Sequence, residues 1–138
     1  MGAVSRVLSE QAQNLTVVEG TKLRFDVLSE RLRDRKNWKG TVANIQDAVL
    51  NEKFDVVCVI GVLEYAQLYF KGEDLEPFHA FLQKARSYLK PGGALVLAIE
   101  NRLGLKYFSG AAEDHTGKLF DGVCGYPDSP SAKTFSRV

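Results

Sequence analysis

Two apolar runs flanking one amphipathic stretch constrain this chain more than any other feature. They are "FDVVCVIG", Phe54 to Gly61, and "ALVLAIE", Ala94 to Glu100. Runs of this length, rich in β-branched residues and bounded by turn signals, predict strands, and the unbroken apolar character of the first predicts burial on both faces. Between them, Asp74 and Pro77 open a helix whose Phe78, Phe81, Leu82, Ala85 and Leu89 form a single stripe, and "KPGG", Lys90 to Gly93, ends it in a turn.

The same alternation runs through the first half. Val4, Val7, Leu8 and Ala12 recur at helical spacing from Ala3 to Ala12, and "LTVVE", Leu15 to Glu19, predicts a short buried strand. Thr21 has the character of an N-cap for a helix with Leu23, Val27, Leu28 and Leu32 on one face. A further strand is expected around Thr41 to Ile45. Alternating strands and helices predict an α/β fold with a mainly parallel sheet covered on both faces. After Glu100 the texture changes: residues 101–138 carry seven of the chain's glycines and prolines at scattered positions (Gly104, Gly110, Gly117, Gly122, Gly125, Pro127, Pro130) and little periodicity. A connection that long is uncommon unless it is functional or disordered.

Composition narrows the function classes. A net charge of +1 over 138 residues gives no electrostatic footprint for nucleic acid or an anionic membrane. The one basic cluster, Arg31, Arg33, Arg35 and Lys36, falls where a helix ends, and cations are favoured there by the helix dipole. Cys58 and Cys124 match no metal or redox spacing, so no metal is expected and Cys58 is expected to be a small core residue. No apolar stretch is long enough for membrane insertion, no signal peptide is expected, and "MGAVSR" has Arg6 where a myristoylation site wants Ser or Thr. A cytoplasmic protein is the expectation.

In an open parallel sheet, ligands bind at the carboxyl ends of the strands. That rule picks out Glu19, Asp47, Gly61 to Tyr65, and Glu100 to Asn101. An acidic residue ending a strand and followed by a glycine, as Glu19 is by Gly20, can accept both hydroxyls of a ribose. It can equally be a surface carboxylate near a helix N-terminus.

The ordered series "VVEG", "IQDA", "FDVVCVIGVLEYA" and "LKPGGALVLAIEN" resembles the class I S-adenosylmethionine-dependent methyltransferases over residues 2 to 101. The resemblance implies a Rossmann-like three-layer sandwich with S-adenosyl-L-methionine as cofactor. It assigns Glu19, with Gly20 beside it, to the ribose hydroxyls. It assigns Asp47, with the backbone of Gln46 and Ala48, to the adenine, and Gly61 and Val62 to the methionine part and the substrate entrance. Where many relatives read Leu-Glu-His this chain has Leu63, Glu64 and Tyr65, a departure that bears on any base role at that position. The implied division is a partial cofactor-binding core, residues 1–101, and a substrate-side loop region, residues 102–138.

The tail, "IENRLGLKYFSGAAEDHTGKLFDGVCGYP", resembles methyltransferase domains from bacterial cell-surface polysaccharide biosynthesis, sometimes in one chain with a glycosyltransferase. That implies O-methylation of a sugar or polysaccharide acceptor. A sugar hydroxyl is a poor nucleophile, and a base within reach would help. Of the two histidines, His79 falls in the amphipathic helix, at its surface or core edge. His115, in "EDHTG" beside Glu113 and Asp114, is the better catalytic candidate, with Glu64 and Tyr65 as its companions, although a loop histidine tied into local turns reads the same way.

Two other classes remain. A Rossmann-type nucleotide-sugar oxidoreductase or epimerase would want a Tyr-x-x-x-Lys pair, which Tyr65, Tyr69 and Tyr88 all lack. A non-catalytic remnant serving as an interaction module is the third. In the resemblance, a strand and a glycine-rich loop precede the first helix, so Gly2 is expected to be that loop's last glycine. The chain is then expected to be a fragment that lacks the first strand and the final strands. Such a fragment should self-associate or lean on a fused or neighbouring domain, and bind cofactor poorly alone.

Overall fold

Parallel pairing of β1 (Leu15–Glu19) with β2 (Trp38–Val42) builds the first of two compact units, Met1–Val49. The computed structural model describes residues 1–72, 75–127 and 132–136. The first unit opens with α1 (Ala3–Gln11), capped by Gly2 at φ 72°. A side chain on Gly2 would be strained by that φ and would stand 3.2 Å from the Leu28 Cα. Next comes α2 (Lys22–Arg31), where the Thr21 side chain accepts from the Arg24 N–H as expected of a cap.

The buried stripe of α2 differs from the expected one. Leu28 and Leu32 are buried, whereas Leu23 and Val27 are exposed. Phe25, Leu28 and Leu32 are spaced to share one face, and Leu23 and Val27 lie about 100–180° round the helix from Leu28 and Leu32. Phe25 tilts against Trp38 at 6.2 Å between ring centroids, over the opening that Gly40 leaves. β2 also begins earlier than Thr41. Its register starts at Leu15↔Trp38 and ends at Glu19↔Val42, and the Trp38 indole N–H donates to the Leu32 carbonyl. Residues 44–48 turn instead of extending, because the Asn44 carbonyl accepts from the Asp47 and Ala48 N–H groups. The Asn37 amide donates to the Ser9 and Ala12 carbonyls, fixing the end of α1 at the entry to β2.

The second unit, Leu50–Val138, is built on β3 (Phe54–Ile60) and β4 (Leu89–Ala98), also parallel. A short turn of helix at Leu63–Tyr65 leads into α3 (Ala66–Tyr69), and α4 (Glu76–Ser87) connects onward to β4. Pro77 sits in the first turn of α4, and Phe78, Phe81 and Ala85 are buried along one stripe. Asp74 lies outside the described residues. Leu89 and "KPGG" belong to β4, not to the helix and a turn. The ladder runs from Phe54↔Leu89 to Val56↔Ala94, so extra residues of β4 bulge opposite Asp55. The Lys90 ammonium meets both Asp55 oxygens at 2.9 Å there.

Burial of β3 on both faces is not found. Val59 is buried, but Val56 and Ile60 are exposed, as is Cys58, which is therefore not a core residue. Among the described residues each strand of this two-stranded sheet has a sheet neighbour on one edge, and α4 packs against both strands. Residues 101–127 and 132–136 are not structureless. They hold α5 (Leu105–Phe108), a bridge from Ala112 to Leu119, and a bridge from Asn101 to Phe135, whose ring packs edge-on against Phe78 at 5.0 Å.

Candidate functional site

Just past the carboxyl end of β3, Gly61 turns the chain at φ 61° and donates its N–H to the Ala98 carbonyl, tying the end of β3 to that of β4. The turn Leu63–Tyr65 then points Glu64 inward, where it is 1% exposed. Its backbone carbonyl accepts from the Lys133 N–H at 2.9 Å. Two residues beyond β4 stands Glu100, with an exposed side chain.

His115 completes the group. Its side chain is 8% exposed, with Nε2 3.8 Å from Glu100 Oε2 and 4.0 Å from Glu113 Oε1. Tyr65 Oη lies 2.8 Å from His115 Nδ1. A ligating atom from each of Glu64, Glu100 and His115 lies within 4.8 Å of the others. Glu64 Oε2 and His115 Nε2 are buried without a hydrogen-bond partner. Burial pushes the Glu64 carboxyl above its ordinary pKa, and the nearby Glu100 charge adds to the rise.

The His115 backbone is held by a second buried carboxylate. Glu113 Oε2 accepts from the His115 N–H at 2.6 Å and the Thr116 N–H at 2.7 Å. Tyr126 Oη donates to Glu113 Oε1 at 2.9 Å and lies 2.6 Å from Thr134 Oγ1. Burial, with Glu113 beside it, pushes the Tyr126 phenol up to about 12. Asp114, between Glu113 and His115, faces the other way and takes the Lys106 ammonium and the Tyr107 hydroxyl, which hold its pKa below the usual carboxylate range.

Three of the expected catalytic residues, Glu64, Tyr65 and His115, are thus brought together. Gly61 adjoins them, since a Cβ there would meet Glu64 Oε1 at 3.7 Å, and Val62 follows as a partly exposed residue. His79 is exposed on α4. Glu100 was marked by its place at a strand end but given no role by its sequence context. Glu113, Tyr126 and Thr134 had no signal beyond the nearness of Glu113 to His115, because a buried carboxylate accepting backbone N–H groups has no fixed spacing.

In the first unit, the expected cofactor residues gather at the carboxyl ends of β1 and β2. The Ala43 N–H donates to the Glu19 carbonyl, and the Glu19 carboxylate accepts from the Thr21 N–H at a long 3.4 Å. Gly20 faces the Asn44 side chain, in the turn that carries Gln46, Asp47 and Ala48. Ala48 is buried, Asp47 is exposed, and Gln46 Oε1 is buried without a partner. Gly2 lies in the same unit, against α2.

A family profile described as "Methyltransferase domain" matches residues 1–97. The chain belongs to this methyltransferase-domain family. Among solved structures, it resembles the N-methyltransferase NodS from Bradyrhizobium japonicum WM9, solved in complex with S-adenosyl-L-homocysteine. The TM-score is 0.61 at 24% identity, over 70% of this chain and 46% of that one. That likeness establishes the Rossmann-like α/β fold, and the chain spans about half the length of NodS. No curated protein matches the chain. Among the described residues, no helix of this methyltransferase domain is long and apolar enough to cross a membrane.

Proposed function

We propose that this methyltransferase domain transfers a methyl group from S-adenosylmethionine to a hydroxyl of a sugar or polysaccharide acceptor. The observation that carries the reading is the buried, unpartnered His115 Nε2 beside two carboxylates, past the carboxyl ends of β3 and β4. The first unit's residues fit the cofactor. Among the described residues the Glu19 carboxylate is engaged by one long contact, and Gln46 Oε1 is a buried acceptor without a hydrogen-bond partner. Glu19 accepts from the ribose hydroxyls, while Gln46, Asp47 and Ala48 line the adenine. Gly61 and Val62, just past the strand end in the second unit, are the residues this reading gives to the methionine part.

When bound, S-adenosylmethionine supplies a methyl carbon made electrophilic by its sulfonium. With an acceptor hydroxyl presented to that carbon, the sulfonium would give up its methyl group to the oxygen, and His115 Nε2 would take the hydroxyl proton. Tyr65 orients the imidazole through Nδ1, and the Glu64 and Glu100 carboxylates stabilise the imidazolium that results. Methyl transfer of this kind depends chiefly on positioning the two reactants, which fits a histidine held by its ring and its backbone.

The exposed Val56, Ile60, Leu95, Val96 and Leu97 of β3 and β4 support association with a second copy or a neighbouring domain, a glycosyltransferase among them. Two free cysteines agree with a reduced, cytoplasmic setting, and polysaccharide biosynthesis in a bacterium is the context this reading gives. The test is calorimetric titration with S-adenosylhomocysteine and NAD, followed by methyl-transfer assays on a saccharide panel with amine acceptors alongside. His115→Ala should lower turnover about 10²- to 10⁴-fold with S-adenosylhomocysteine affinity unchanged. Binding of NAD instead, or full turnover in His115→Ala, overturns the reading.

A further inference from the structure

The carboxylates of Glu64 and Glu100 converge on His115 with no lysine or arginine paired to either of them among the described residues. Two of the three converging groups, Glu64 at 1% and His115 at 8% exposure, end in atoms that are buried and unpartnered. Leaving such atoms unpaired is costly, and a bound ion is one of the few things that removes the cost.

We propose that Glu64, Glu100 and His115 bind a divalent cation of the Mn²⁺ type, through Glu64 Oε2, a Glu100 carboxylate oxygen and His115 Nε2. Two carboxylates and one imidazole form a mixed oxygen and nitrogen donor set, which suits Mn²⁺ or Zn²⁺ better than Ca²⁺. Bonds of about 2.1–2.2 Å at octahedral angles put adjacent ligand atoms about 3.0 Å apart. The 3.8 Å between His115 Nε2 and Glu100 Oε2 is longer than that by somewhat under about 1 Å, and Glu100, being exposed, is free to close the difference.

The surroundings have the features of a supported site. With the cation on Nε2, His115 Nδ1 carries the proton and donates to Tyr65 Oη, which fixes the ring. Glu113 holds the backbone of the same residue, so the ligand needs no reorganisation to bind. Three protein donors leave further positions open on the solvent side, where Glu100 stands, for water or an acceptor hydroxyl. In the loaded protein, His115 is a ligand, and the cation takes over making the hydroxyl more acidic. The inference shares its residues with the methyl-transfer reading but does not depend on it, because cation binding is read without cofactor or acceptor.

The experiment is titration of the full chain with Mn²⁺, followed by electron paramagnetic resonance of the free aqueous ion. Mn²⁺ is chosen over Zn²⁺ because the exposed Cys58 and Cys124 would take up zinc on their own. The expected result is one Mn²⁺ per chain at micromolar affinity, weakened at least tenfold in Glu100→Gln and abolished in His115→Ala. Glu100 is exposed, so its variant should keep the wild-type melting temperature and remain a valid test if the His115 variant misfolds. Absence of binding at millimolar Mn²⁺, or equal affinity in wild type and Glu100→Gln, overturns the proposal. Cofactor binding by the same protein sample, measured separately, shows whether the methyl-transfer reading stands or falls with it.

Discussion

Tyr65 Oη lies 2.8 Å from His115 Nδ1, and the two rings meet nearly perpendicular, with centroids 5.3 Å apart. Tyr65 therefore sets the orientation of the imidazole, its hydroxyl meeting Nδ1 as acceptor from an N–H or as donor to the bare nitrogen. Tyr65→Phe keeps the ring contact and removes only the hydroxyl. By analogy with groups that orient a histidine, it should lower kcat about 10- to 100-fold while leaving KM for both substrates unchanged. The His115 ring resonances in a nitrogen-edited NMR spectrum should shift toward a mixture of tautomers. An unchanged tautomer ratio would show that the hydroxyl does not control the ring.

Tyr126 acts one layer further out. It is buried with backbone φ 61°, an unusual state for a bulky residue, and its hydroxyl serves both Glu113 and Thr134. Tyr126→Phe strips a donor from a buried carboxylate, which should cost about 1–3 kcal/mol of stability. The measurement is a urea unfolding curve. A loss of stability with no change in kcat would show that Glu113 holds the His115 backbone without its help.

These residues mark where sequence reasoning stops. The bounds of β1 were legible to the residue, because "LTVVE" is bounded by Asn14 and Gly20, although its residues are half-buried and not buried as expected; the Thr21 cap was legible too. β2 was displaced because Trp38, Lys39 and Gly40 carry no alternation, and their pairing with Leu15 to Val17 is a non-local fact. "KPGG" read as a turn by local chemistry, yet it bulges within β4 because Asp55 and Lys90 meet there. Glu64 and His115 were named as candidates separately. Their convergence with Glu100 depends on Glu113 and Tyr126 folding the Gly-rich tail, which no periodicity records.

The Arg6 and Asp34 side chains form a bidentate pair at the surface of the first unit, linking α1 to the residues after α2. The Arg6 hydrogen bonds hold the Asp34 carboxyl below its ordinary pKa. A carboxylate with a depressed folded pKa contributes stability above its unfolded value, near about 4, and loses it as pH falls through the folded value. Wild type should therefore lose part of its margin over Asp34→Asn below about pH 4. Both side chains are substantially exposed, so the margin should be small and shrink in added salt. Thermal unfolding of both proteins across that pH range provides the comparison. Parallel curves would remove the pair from the acid response.

Glu19 offers the sharpest separation of binding from folding. It ends β1, its backbone carbonyl accepts from Ala43, and its side chain makes one long contact with the Thr21 N–H. Replacing that side chain takes little from the fold, since the backbone bond remains and the lost contact is at the limit of a hydrogen bond. A ribose would lose its charge-assisted hydrogen bonding to the carboxylate, and one such bond is worth roughly 1.5–3 kcal/mol. Glu19→Ala should therefore bind S-adenosylhomocysteine about 10- to 150-fold more weakly by calorimetry, at an unaltered melting temperature. Asp26→Ala, on α2 of the same unit and outside the proposed cofactor residues, supplies a comparison of similar charge change. If both variants lose the same small amount, the effect is the general electrostatics of the unit. A loss confined to Glu19 ties the strand-end carboxylate to the ribose. Wild-type affinity in Glu19→Ala would remove that assignment and leave the cofactor to be held by other groups.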